Sequence, residues 1–92
     1  MSMENNIIRF TGKKFLTWEF QFKMFLKGKE LFHHIDNSTQ IPIDEKELAK
    51  WEVQDAKLIS WLLGTIEPHL VINLQCFSTA IAMWAYLQRI YH

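Results

Sequence analysis

Apolar side chains recur along this chain at intervals of three and four residues, the spacing that places them on one face of an α-helix. Residues 14–27, 44–66 and 79–91 show the pattern clearly, and residues 29–35 show it more weakly. A short helix is also predicted from Pro68 to about Gln75, because proline fits the first helical turn. No stretch alternates with period two over the length of a strand. The pattern therefore predicts an all-α fold, a compact bundle of about five helices of which two are short.

The ends of these helices carry residues that commonly cap helices. Asp44 opens a capping box for the longest helix, and Pro68 ends that helix, because the residue before proline avoids helical backbone angles. Gly28 is predicted to end the first helix. Thr79 or its neighbour Ser78 is predicted to cap the last one.

The helical periodicity also predicts which side chains form the core. The chain is 49% hydrophobic and 14% aromatic, and large rings bury much apolar area per residue, so 92 residues are enough for a single core without disulfides or metal. The predicted core residues are Phe15, Trp18, Phe22, Trp51, Leu58, Leu62, Trp84 and Leu87.

Asp55 interrupts the apolar face of the long helix, between Trp51 and Leu58. A carboxylate in that position has to be paired or hydrogen-bonded, since an unpaired buried charge would cost several kcal/mol. The favoured interpretation is structural: Asp55 accepts hydrogen bonds from backbone N–H groups of another element, such as the loop over residues 10–15, or from the indole of Trp18. A catalytic or ligand-binding acid is the rival interpretation.

A second, smaller apolar stripe on the first helix consists of Leu16, Phe20 and Met24. Tyr86 flanks the main apolar face of the last helix in a similar way. Large apolar groups outside the main face are either covered by a neighbouring helix or left to contact another molecule. These four residues are the candidates for self-association.

The net charge and the reactive residues narrow the range of possible functions. Ten basic residues balance ten acidic ones, so no strong overall field attracts nucleic acid. His33 and His34 point about 100° apart on a helix and Cys76 is the only cysteine, so no metal-ligand spacing appears. No phosphate-binding loop or nucleophile motif is present. We expect a non-enzymatic, cytoplasmic protein with no catalytic residues, no cofactor, no metal and no membrane contact.

Four segments in order carry a resemblance to a known family. They are "FTGKKFLTW", "WEVQDA", "TIEPHL" and "TAIAMWAYLQRIY". Together, from about residue 7 onward, they resemble the N-terminal part of the Gag polyprotein of copia-type LTR retrotransposons. One departure is Lys14, since the family often has Asn before the aromatic residue.

This resemblance implies a structural, capsid-like N-terminal domain over residues 10–92, similar to the N-terminal lobe of retroviral capsids, behind a flexible segment over residues 1–9. Such a domain associates with itself, and with the remaining Gag domains, to build a particle that packages the element's RNA. It would meet RNA only indirectly, through downstream regions. The last helix has no stop signal, so truncation from a longer Gag chain is expected. The alternatives are a domesticated Gag-derived adaptor that binds a protein or peptide in a helical groove, and direct RNA binding by the aromatic residues.

Overall fold

A computed structural model describes residues 7–36 and 40–92 of the chain. Four α-helices are present over these residues: α1 (Phe15–Gly28), α2 (Glu45–Gly64), α3 (Pro68–Val71) and α4 (Ala80–Tyr91). Two 3₁₀ helices add Phe32–His34 and Ile72–Leu74. The predicted all-α class is confirmed over the described residues. Of the two short predicted helices, the first is only a 3₁₀ helix and the second is divided into α3 and the 3₁₀ helix that follows it.

The segment before α1 is attached to the end of α2. The N–H of Phe10 donates to the carbonyl of Thr65 at 2.7 Å, and the N–H of Glu67 donates to the carbonyl of Phe10 at 2.9 Å. These bonds form an isolated parallel bridge, and the Phe10 ring beside it is completely buried against Phe15, Trp18 and Tyr91. The predicted flexible segment falls mostly outside the described residues, which begin at Ile7. The N–H of Ile8 donates to the side chain of Gln21 on α1.

The N-termini of α2 and α4 are capped by side chains. The Asp44 carboxylate accepts from the N–H of Glu47 at 3.2 Å, and the Thr79 hydroxyl accepts from the N–H of Ala82 at 3.3 Å. Each bond satisfies a backbone donor that the first helical turn leaves without an intrahelical partner. The Asp44 cap is confirmed, and of the two candidates at α4 the cap is Thr79.

The residues at both ends of α1 have backbone conformations that the pattern of apolar and polar residues does not predict. Lys14, just before the helix, has a left-handed φ of 57° and makes no capping bond through its side chain. At the other end Gly28 is still helical and Glu30 takes the left-handed conformation, with φ 60°. The N–H of Leu31 donates to the carbonyl of Leu26 at 2.9 Å, as in a Schellman motif. The prediction that α1 ends at Gly28 is therefore confirmed, but the left-handed residue of the motif is Glu30 and not the glycine.

The core is an aromatic cluster between α1, α2 and α4. The Trp18 ring lies 5.5 Å from both Phe22 and Trp84, measured between centroids. The indole N–H of Trp18 donates to the hydroxyl of Thr65 at 3.0 Å, so this fully buried ring leaves no polar group unpaired. Seven of the predicted core residues lie buried: Phe15, Trp18, Phe22, Leu58, Leu62, Trp84 and Leu87.

Trp51 is the incorrect core prediction. Its side chain is only half-buried and stacks on the ring of His34, with centroids 4.8 Å apart and planes at 16°. The buried residues of α2 are Asp55, Leu58 and Leu62, so the first turns of this helix do not enter the aromatic core. A periodic apolar position predicts which face of a helix is inward, but not how far along the helix the neighbouring elements extend.

The left-handed residue after α1 gives a test of this turn. Replacing Glu30 with glycine removes the Cβ that disfavours φ 60°, and we expect Glu30→Gly to raise the free energy of unfolding by about 1 kcal/mol. This change would raise the melting temperature by about 4–8 °C, measured by circular dichroism. Gly28→Ala is the companion variant, because a Cβ added at Gly28 meets nothing within 4 Å. A loss of stability in Gly28→Ala would show that Gly28 needs its glycine and would contradict this assignment.

Candidate functional site

The apolar stripe on the outer side of α1 is exposed. The exposed fractions are 62% for Leu16, 63% for Phe20 and 44% for Met24. Because these residues follow one another at intervals of four, they form a continuous row along the helix. The opposite side of α1 buries Trp18 and Phe22. Within the described residues no helix covers the stripe, and we call Leu16, Phe20 and Met24 the α1 stripe.

A shallow groove runs beside the α1 stripe. Its volume is about 500 Å³. The Lys29 ammonium group lies above two aromatic rings near one end of it, 5.6 Å from the centroid of Phe25 and 5.4 Å from that of Trp61. We call this depression the α1 groove. Its lining residues are Ile7, Phe20, Gln21, Met24, Phe25, Gly28 and Lys29.

The outer face of α1 is basic as well as apolar. Lys23 and Lys27 follow Phe20 by three and seven residues, which places them on the same side of the helix. The only acidic residue of α1 is Glu19, and it is buried. Its carboxylate accepts a hydrogen bond from the side-chain amide of Gln88 on α4 at 2.9 Å. The exposed charges of α1 are therefore all positive.

Tyr86, the fourth candidate for self-association, lies in different surroundings. Its ring is half-buried and packs against Phe77, with centroids 5.3 Å apart. The guanidinium of Arg89 lies 5.6 Å from the same ring. These contacts cover part of the tyrosine ring from within the chain, so Tyr86 presents less apolar surface to a partner than the α1 stripe does.

Asp55 is buried and joins three elements. One carboxylate oxygen, Oδ1, lies 2.8 Å from Nδ1 of His34, which donates to it. The other, Oδ2, accepts from the backbone N–H of Ala80 at 3.1 Å. That N–H belongs to the first turn of α4, where a negative charge also interacts favourably with the helix dipole. The predicted kind of partner, a backbone N–H of another element, is confirmed by Ala80, but the two named candidates, the loop over residues 10–15 and the Trp18 indole, are wrong.

His34 completes this network from the first 3₁₀ helix. Its side chain is fully buried, and its Nε2 has no hydrogen-bond partner among the described residues. The Trp51 ring stacks on the imidazole. The carboxylate and imidazole connect α2 to the 3₁₀ helix and to the start of α4. Over residues 7–36 and 40–92, no group of three or more His, Cys, Asp and Glu side chains is placed to hold a metal ion.

Two of these polar residues could have been recognised from the sequence. His34 and Ile35 lie three and four residues after Leu31, a spacing that places all three on the inward side of a helical turn. Glu19 lies four residues after Phe15 and three before Phe22, within the main apolar face of α1. The groove had no comparable signal, because Ile7 and Phe25 come from separate segments.

The same part of the chain that the structure describes contains no helix long and apolar enough to cross a membrane. The chain is similar to two curated proteins of Arabidopsis thaliana, the retrovirus-related Pol polyproteins from transposons RE2 and RE1. Each is 26% identical over 97 aligned positions, which cover 95% of this chain but only 7% of the polyprotein. No family profile matches the chain, and no solved structure matches it significantly. The similarity supports a retrotransposon-related origin.

The Asp55 network predicts a specific loss of stability. Asp55→Asn keeps the size of the side chain but cannot accept from both His34 and Ala80 through carboxylate oxygens, so we expect the free energy of unfolding to fall by about 2 kcal/mol. The matched control is Glu52→Gln, which changes an exposed carboxylate one turn earlier on α2 and should alter stability by less than about 0.5 kcal/mol. Urea unfolding followed by tryptophan fluorescence measures both. Equal stabilities of the two variants would refute the structural role of Asp55.

Proposed function

We propose that this chain is the N-terminal, capsid-like domain of a copia-type Gag, and that it associates with copies of itself to build a particle around the element's RNA. The observation that carries the proposal is the uncovered α1 stripe, with Phe20 63% exposed. The similarity to retrotransposon polyproteins over 95% of the chain supports the retrotransposon-related origin that the proposal requires. The all-helical fold is consistent with it.

The size of the stripe indicates how such an association would work. Three partly exposed side chains bury a small area, well below that of a stable binary complex of about 1,600 Å². A single contact of this kind is weak and reversible. A shell of many copies gains strength from the number of contacts that form together. The proposal therefore requires weak pairwise association and cooperative growth.

The proposal includes no catalytic step and no cofactor. The domain's partners are other copies and the remaining Gag domains in the cytoplasm, and RNA is contacted through downstream regions. The buried Asp55–His34 pair then serves the stability of the domain, which keeps the α1 surface in one orientation.

A second candidate function follows from the α1 groove. Its length along α1 and its two aromatic rings, Phe20 and Phe25, suit a peptide of a different protein. The chain would then be a domesticated adaptor derived from Gag. A chain that stays monomeric at high concentration would favour the adaptor over the capsid-like domain.

The α1 stripe gives the test of self-association. Phe20→Asp places a charge in the centre of the stripe, and we expect it to weaken self-association at least about tenfold while leaving the fold intact, because the ring is mostly exposed. Sedimentation velocity over a range of concentrations measures the association, and circular dichroism checks the fold. Ile72→Asp is the matched control, since Ile72 is 67% exposed and belongs neither to the α1 stripe nor to the lining of the α1 groove. Unchanged association of Phe20→Asp would exclude the stripe as the contact surface.

A further inference from the structure

A second exposed apolar feature lies at the beginning of α2. Ile43 is 98% exposed and Ile41 is 49% exposed, with Pro42 between them. Single apolar side chains on a surface are common, but an isoleucine left almost wholly in water beside another exposed one is a feature that folding does not explain. We call residues 41–43 the Ile-Pro-Ile segment.

This segment has little conformational freedom. Proline fixes its own φ and pushes Ile41, the residue before it, toward extended backbone angles. Asp44, directly after the segment, is also extended, with φ −68° and ψ 133°, and is held by its capping bond to α2. The segment is therefore short, extended and apolar, and it is partly ordered before any partner binds. Segments with this backbone bind well in grooves lined by aromatic rings, because little entropy is lost.

The charges around the two features have opposite sign. The N-cap Asp44 and, in the first turn of α2, Glu45 and Glu47 follow the Ile-Pro-Ile segment and are exposed. Lys46 lies between the two glutamates, and Glu47 pairs with Lys50 at 3.6 Å, so the three carboxylates outnumber the one ammonium group of residues 44–47. Lys23 and Lys27 lie beside the α1 stripe, where Lys23 is half-buried and the Lys27 ammonium group lies 4.9 Å from the centroid of the Phe32 ring. An apolar segment with acidic flanks thus matches an apolar groove with basic flanks.

The segment cannot reach the groove of its own chain. The Phe25 ring in the groove contacts Trp61, with centroids 4.9 Å apart, so the groove lies near the C-terminal part of α2. Glu45 and Trp61 are separated by sixteen residues of one helix, which is about 24 Å along its axis. Ile43 is two residues before Glu45 and spans only about 7 Å of that distance. An occupant of the groove with this chemistry has to come from another molecule.

We propose that the Ile-Pro-Ile segment of one copy binds in the α1 groove of the next copy. This inference rests on the proposed self-association and specifies its geometry. Ile43 packs between Phe20 and Met24, and the carboxylates of Asp44 and Glu45 face Lys23 and Lys27. The two surfaces differ, so the contact is head-to-tail, and repeating it gives a ring or an open chain rather than a closed pair.

The test mixes two variants that each lack one half of the contact. Ile43→Ser removes the apolar side chain of the segment without adding charge, and Phe20→Asp damages the groove. Each variant alone should associate at least about tenfold more weakly than the unchanged chain in sedimentation velocity. An equimolar mixture retains one intact groove and one intact segment. It should form heterodimers that grow no further.

The outcomes separate this inference from the proposed function. If Ile43→Ser associates like the unchanged chain while Phe20→Asp does not, copies meet through their α1 stripes, and the inference is wrong while self-association stands. If the unchanged chain never associates, the proposed function itself fails. Ile72→Ser is the matched control for loss of an exposed isoleucine, and its association has to equal that of the unchanged chain. Equal weakening by Ile72→Ser would mean non-specific association and would also overturn the inference.

Discussion

The indole of Trp18 has two requirements, and meeting both fixes how the helices are arranged. Its rings have to be buried among other rings, which Phe22 and Trp84 provide, and its N–H needs an acceptor, which is the hydroxyl of Thr65. That hydroxyl in turn donates to the carbonyl of Leu62 in the last turn of α2. One side chain therefore sets the rotation of α1 against the end of α2 and against α4. With this side of α1 committed to the core, the α1 stripe has to face outward.

Two buried polar contacts fix the relative orientation of the helices, which apolar packing alone does not fix. Hydrophobic burial depends on area and tolerates sliding, whereas hydrogen bonds depend on angle and distance. The bond from Gln88 to Glu19 fixes α4 against α1. Asp55 fixes the first turn of α4 and the first 3₁₀ helix against α2. Because these carboxylates lie within apolar faces, misplacing either helix would leave a buried charge unpaired.

Residue spacing within each segment predicts most of the fold. The predictions fail where contacts between segments far apart in the sequence determine the structure. Asp44 and Thr79 cap their helices through bonds to residues three positions away, so sequence spacing is enough to find them. The inward position of Asp55 follows from the helical periodicity of α2. Its hydrogen-bond partners belong to other elements, so the sequence around Asp55 does not predict them. The burial of Trp51 depends on how far the core extends along α2. The α1 groove needs Ile7 and Phe25 side by side, which no single helical pattern contains.

The distance between the two exposed apolar features explains why they would act between molecules. A rigid α2 of 20 residues separates the Ile-Pro-Ile segment from the α1 groove, so the chain cannot bury one with the other. The net charges that flank them are opposite, which disfavours groove against groove and segment against segment by like-charge repulsion. Both effects favour a contact between unlike surfaces. Such a contact leaves one free segment and one free groove at the ends of every assembly, and growth continues until the ends meet.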